Sequence, residues 1–134
     1  MEDKNQAQSG EHKKKILLVE DDEFLSGLIA QKLIASNFIV VPALEGAAVP
    51  AIALKEQPDL ILLDIVLPHM NGFEILEHLK ASDATKHIKV VMLSNLSQDE
   101  DKDKALKLGA IDFIVKSNAS PTEITAKLQA LLNQ

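Results

Sequence analysis

Five apolar runs punctuate the chain at intervals: Ile16-Leu17-Leu18-Val19, Phe38-Ile39-Val40-Val41, Leu60-Ile61-Leu62-Leu63, Val90-Val91-Met92-Leu93, and Ile111 to Val115 with only Asp112 interrupting. Continuous apolar runs, as opposed to alternating ones, are the pattern of strands buried on both faces, which belong to parallel sheets. They predict strands over roughly Lys15–Glu20, Phe38–Val41, Asp59–Asp64, Ile88–Leu93 and Ile111–Val115, the second closed by Pro42.

Between the runs the apolar spacing changes to that of helices. Leu25, Leu28, Ile29 and Leu33 predict a helix over about Glu23–Ser36, with Asp22 as its N-cap, a role compatible with a further one in a site. Pro50 is tolerated only in a first turn, so the next helix runs from about Ala47 to Glu56, and Gln57-Pro58 stops it. Pro68, Asn71 and Gly72 mark residues 65–72 as a loop, followed by a helix over Phe73–Lys80. Ser97 and Glu100 match a capping box that opens a mostly charged, thinly anchored helix ending near Leu108, with Gly109 as its C′ residue. Ser120-Pro121-Thr122-Glu123 is a second capping box, before a helix with Ile124, Leu128 and Leu131 on one face.

Strand and helix alternate five times, which predicts an α/β fold with a five-stranded parallel sheet, doubly wound because crossovers are right-handed. A chain of 134 residues suits one domain, expected over residues 14–134, and the polar, aperiodic residues 1–13 read as a disordered tail. No long apolar stretch or signal-peptide core occurs, and there is no cysteine, so thiolate chemistry and disulfides are excluded and a cytoplasmic setting fits. A net charge of −6, with Lys13-Lys14-Lys15 as the only basic triplet, argues against direct nucleic-acid binding. No membrane partner is expected either.

The strand ends carry the candidate chemistry. The first delivers Glu20-Asp21-Asp22, the third Asp64, the fourth Ser94 and the fifth Lys116. In a parallel sheet the carboxyl ends share one edge, where such folds place their sites. Asp21, Asp22 and Asp64 meeting there would repel, so they would take up protons or hold a cation. Oxygen-only ligation suits a hard ion, Mg²⁺ foremost. Lysine and hydroxyl opposite then make a place for a phosphoryl group.

Those residues in that order resemble a bacterial two-component response-regulator receiver domain, stand-alone and CheY-like. The resemblance rests on Leu18-Val19-Glu20-Asp21-Asp22, on Leu63-Asp64 with Pro68 and Gly72 following, and on Ser94, Phe113 and Lys116; it spans about Lys14 to Leu132. It implies a flavodoxin-like fold with strand order 2-1-3-4-5. Asp64 is then the phosphoacceptor, attacking a phosphohistidine on a sensor histidine kinase or histidine phosphotransfer protein. Mg²⁺ is held by Asp21, Asp22, Asp64 and the Val66 backbone carbonyl. Lys116 neutralises the phosphoryl oxygens, Ser94 is drawn to one of them, and Phe113 rotates inward into the vacated space, changing the surface around the fourth helix and fifth strand for a downstream partner protein.

Three departures from the family pattern qualify this. Ser117 follows the lysine where the family has proline in a cis peptide; a cis non-proline bond costs about 3–4 kcal/mol, so this loop is expected to be trans or strained. Asn95 stands where a small residue is usual. Val66 and Leu96 are apolar where orienting polar groups are common, which predicts slow self-dephosphorylation. A receiver that binds partners without phosphorylation is one alternative. A Mg²⁺-dependent phosphohydrolase with an aspartyl nucleophile is another, disfavoured because the position of its acid/base is Val66. The four histidines lack the spacing of a helical metal site.

Overall fold

The computed structural model describes residues 13–96 and 98–133. The tail reading of residues 1–12 lies outside the described residues, as does Ser97 itself; the capping box expected from Ser97 and Glu100 is not what opens the fourth helix, whose N-cap is Gln98 with no side-chain cap bond. The chain alternates β1 (Lys15–Val19), α1 (Glu23–Ala35), β2 (Ile39–Ala43), α2 (Val49–Glu56), β3 (Leu60–Asp64), α3 (Gly72–Ala81), β4 (Lys89–Ser94), α4 (Asp99–Lys107), β5 (Asp112–Val115) and α5 (Pro121–Leu132). All strand pairs are parallel, in the order β2-β1-β3-β4-β5, the flavodoxin-like arrangement expected.

Period-two alternation along the strands divides the core into two layers. Leu17, Val19, Ile61, Leu63, Val90 and Met92 face a cluster completed by Phe73, Ile75 and Leu76 of α3 and Phe113 of β5. Ile16, Leu18, Leu60, Leu62, Val91 and Leu93 face the opposite cluster, completed by Ile29 and Leu33 of α1 and Ile124 and Leu128 of α5. Every residue of β3 is buried, so the central strand is covered on both sides, as its unbroken apolar run requires.

The helix termini follow their local chemistry. Asp22 Oδ1 accepts from the Phe24 and Leu25 N–H groups and caps α1. At the other end Asn37 adopts φ +73°, and Phe38 and Asn37 donate to Leu33 and Ile34 carbonyls, a closure that satisfies the last turn. Gly109 closes α4 the same way at φ +111°, with Ala110 donating to Ala105. The Ser120–Glu123 capping box forms in both directions. A reciprocal box between Asn71 and Glu74 opens α3 one residue earlier than the apolar pattern suggests.

Other boundaries move for identifiable reasons. Pro42 lies inside β2, paired with Leu18, instead of ending it; β2 is an edge strand, where a missing N–H breaks no ladder on the open side. A 3₁₀ turn over Gly46–Ala48 precedes α2, placing Pro50 in the first turn. Leu28, expected on the inner face of α1, is exposed to 37% beside the still more exposed Phe24. Only Ala105 of α4 is fully buried, which bears out its thin anchoring.

Candidate functional site

Register assembles the site. Val19 is level with Leu63, Asp64 with Leu93, and Ser94 with Val115. The residues that follow or end these strands therefore emerge together at the carboxyl edge of the sheet. Lys116 reaches between two of them: its Nζ lies 2.8 Å from Asp64 Oδ2 and 2.7 Å from Glu20 Oε1. Both carboxylates are buried, at 2% and 1% side-chain exposure, and the lysine is 17% exposed. Asp64 Oδ1 accepts from the Val66 N–H at 3.2 Å, and Glu20 Oε2 from the Asp22 N–H at 3.1 Å.

Glu20, Asp21 and Asp64 each present an oxygen, all within 4.8 Å of one another. This corrects the expected acidic set. Asp22, expected in it, has its carboxylate committed to the α1 cap, one residue farther from the strand tip. Glu20 takes that place, because it is the first residue beyond Val19 and its longer side chain turns back over the edge. The N-cap rule carried the signal: an aspartate that opens a helix directs its oxygens to that helix's N–H groups.

Burial dominates the electrostatics. Desolvation raises the pKa of Asp64 and of Glu20, opposed chiefly by the Lys116 ammonium. For Lys116, burial disfavours the charge, but the neighbouring Asp64 and Glu20 carboxylates together outweigh that and raise its pKa. One ammonium faces three carboxylates, so the pocket keeps an excess of negative charge. Glu20 Oε1, although close to the ammonium, receives no aligned hydrogen bond and is fully buried. Three carboxylate oxygens within 4.8 Å of one another, facing a single ammonium, make a hard-oxygen set short of positive charge, so the residues fit a small divalent cation.

The backbone beneath Asp64 is held just as closely. A Cβ on Gly72 would stand 2.4 Å from the Asp64 carbonyl oxygen and 2.7 Å from Ile65 Cα, so only glycine fits. The Gly72 N–H donates to the Ile65 carbonyl at 2.7 Å and closes the loop. Val66 is 60% exposed at the rim. Ser94 is buried at the tip of β4, its Oγ accepting from the Leu96 N–H. Phe113 is buried at 7% exposure, in the core layer that also holds Phe73 and Met92. The peptide after Lys116 is trans and enters a 3₁₀ turn over Lys116–Asn118. His69, at φ +68°, lines a cavity of about 380 Å³ with Asp21, Glu45 and Pro68.

Comparison with known proteins agrees with this geometry. The sequence model for the response regulator receiver domain matches residues 16–129. Among curated proteins, the chain is 35% identical over 120 residues to the DNA-binding dual master transcriptional regulator RpaA of Synechocystis, covering 90% of this chain and 49% of that protein. It is 38% identical over 102 residues to the response regulator PleD of Caulobacter vibrioides, covering 76% of this chain and 22% of that protein. The chain thus spans half or less of these relatives. Among solved structures, the BeF3-activated N-terminal receiver domain of Klebsiella pneumoniae RstA superposes with a TM-score of 0.81 at 33% identity, covering 90% of this chain and all of that one. The chemotaxis protein CheY4 of Vibrio cholerae gives 0.82 at 26% identity, covering 89% and 98%. With its sheet order, its buried acid–lysine edge and a family match over most of its length, the chain belongs to the response-regulator receiver domains of two-component signalling.

Proposed function

We propose that the protein is a phosphoacceptor switch, taking a phosphoryl group on Asp64 from a sensor histidine kinase or a histidine phosphotransfer protein in the cytoplasm. The observation that carries this reading is the buried Asp64 carboxylate, 2.8 Å from Lys116 and within 4.8 Å of two further acids. An aspartate merely facing solvent at a strand end would be neither buried nor clamped by a lysine. Residues 14–134 form the receiver unit, and no direct nucleic-acid or membrane contact is assigned to it. Among the described residues no helix is long and apolar enough to cross a membrane.

Glu20, Asp21, Asp64 and the Val66 carbonyl are the candidate Mg²⁺ ligands. A bound Mg²⁺ would supply positive charge that lets the anionic acceptor and an anionic phosphoryl group approach one another. The chain's own groups do the rest. Asp64 forms the new oxygen–phosphorus bond as the bond from phosphorus to the donor imidazole nitrogen breaks, and the imidazole leaves with the electron pair. Lys116, held by Glu20 as well as Asp64, stays in the pocket to neutralise phosphoryl oxygens. Ser94 offers its hydroxyl, which in the unphosphorylated chain only accepts. Phe113 and the thinly anchored α4 carry the change to the surface around α4, β5 and α5, where a downstream protein reads it.

Incubation with Mg²⁺ and acetyl phosphate, read by intact mass, tests the proposal. Gain of one phosphoryl group that disappears in Asp64→Asn supports it. A chain that stays unmodified is instead the phosphorylation-independent binding module, and steady release of phosphate from an external ester marks a hydrolase. Val66 stands against the hydrolase, since an aliphatic side chain cannot act as its acid/base.

A further inference from the structure

The mostly charged α4 has a hold on the protein that its apolar content does not explain. Lys104 Nζ stands 4.4 Å from the centroid of the Phe73 ring, within the distance at which an ammonium is attracted to an aromatic face. Phe73 is the second residue of α3, only 8% exposed and embedded in the core layer with Met92, Phe113 and Ala105. Its neighbour Gly72 is pressed against the Asp64 carbonyl at a distance that admits no Cβ. Two adjacent residues at the start of α3 therefore touch the candidate acceptor's backbone on one side and α4 on the other.

We propose that Lys104, acting through Phe73 and Gly72, is a positioning residue for Asp64, and that this contact couples the placement of α4 to phosphoryl acceptance. The inference rests on the acceptor role of Asp64 proposed above. The lysine is on an otherwise lightly held helix whose buried contribution is one alanine. Removing its attraction to the ring therefore loosens α4 locally. Coupling is reciprocal: what displaces α4 alters how Asp64 is held, and what occupies Asp64 alters α4. This route leaves the sheet at the end of β3 and runs through the start of α3.

Amide hydrogen exchange on the full chain tests the contact before any phosphorylation. The reporters are the Leu108, Gly109 and Ala110 N–H groups, which donate to Lys104, Leu106 and Ala105 carbonyls. Lys104→Met keeps the stem and removes the charge; it is expected to speed exchange of these amides about two- to five-fold. Phe73→Leu gives a similar increase, the double variant adds nothing further, and Lys104→Arg restores slow exchange. Lys104→Gln serves as a second neutral variant, independent of any folding defect in Phe73→Leu. Unchanged exchange in both neutral variants, or additive effects of Lys104→Met and Phe73→Leu, overturns the contact.

The coupling is read from the initial rate of Asp64 phosphorylation by acetyl phosphate over a range of its concentration. A lower maximal rate in Lys104→Met, restored in Lys104→Arg, supports positioning, and identical rates overturn it. Failure of the unaltered chain to phosphorylate counts against the acceptor reading, and with it against positioning, while the exchange result still stands or falls by itself.

Discussion

Replacing Lys116 with methionine removes the only ammonium described within 4 Å of Asp64 and Glu20, and leaves two buried carboxylates facing each other. At an effective dielectric constant of 20, each contact near 2.8 Å contributes roughly 6 kcal/mol of attraction, most of it offset by the cost of burying the charges. Measured losses on breaking buried pairs run to about 3–5 kcal/mol. The carboxylates limit the damage by taking up protons, at about 1.4 kcal/mol per pH unit. A loss of about 3 kcal/mol at neutral pH follows, or a fall of about 10 °C in Tm for a domain this size.

The pH dependence has a definite sign. Burial already holds the folded pKa values of Asp64 and Glu20 above their unfolded ones, and without Lys116 to oppose it they rise further. Groups with raised folded values contribute stability that is complete below the unfolded pKa of about 4 and is lost as the pH climbs through the folded values. The deficit of Lys116→Met is therefore largest at neutral pH and shrinks on acidification. The chain has no Trp or Tyr, so urea unfolding in EDTA is best followed by helical circular dichroism. Adding Glu20→Gln and Asp64→Asn to Lys116→Met should recover most of the loss. A deficit that is absent at neutral pH, or that stays constant on acidification, refutes the reasoning.

Gly72→Ala forces a methyl group onto the Asp64 carbonyl, so a loss of about 1–3 kcal/mol in urea titration and slower phosphorylation by acetyl phosphate are expected. Asp22→Ala and Asp21→Asn separate cap from acidic cluster. The first costs about 1 kcal/mol of stability and leaves the Mg²⁺-dependent rise in Tm in place, whereas the second abolishes most of that rise; the reverse result would restore Asp22 to the metal set. With apolar Val66 and Leu96 exposed at the rim, phospho-Asp64 should persist well beyond seconds, and Val66→Gln should shorten its lifetime in a mass-spectrometric decay series.

Local chemistry in the sequence determined the strands, the helices and most of their caps. The unbroken apolar runs of β1, β3 and β4 call for cover on both faces, so the sheet and its two covering layers follow from the chain, while the edge run of β2 leaves Ile39 exposed. Ser120 with Glu123, Asp22 before α1 and Gly109 after α4 act through bonds a few residues long, which explains why they were legible. The meeting of Asp64 and Lys116 was legible as well, because the carboxyl ends of parallel strands must share an edge.

Tertiary structure decided what depends on level and direction. Glu20 instead of Asp22 joins the acids, since the choice turns on where β1 ends against β3 and which way each side chain leaves the strand. Pro42 stays in β2 because that strand lies at the edge, a fact of strand order that its own sequence does not carry. Lys104 on the Phe73 ring joins residues far apart in the chain, and no periodicity encodes such a pairing. Short-range hydrogen bonds and side-chain period are written along the chain. Which groups finally touch is fixed only when the sheet sets their relative height and the helices pack over it.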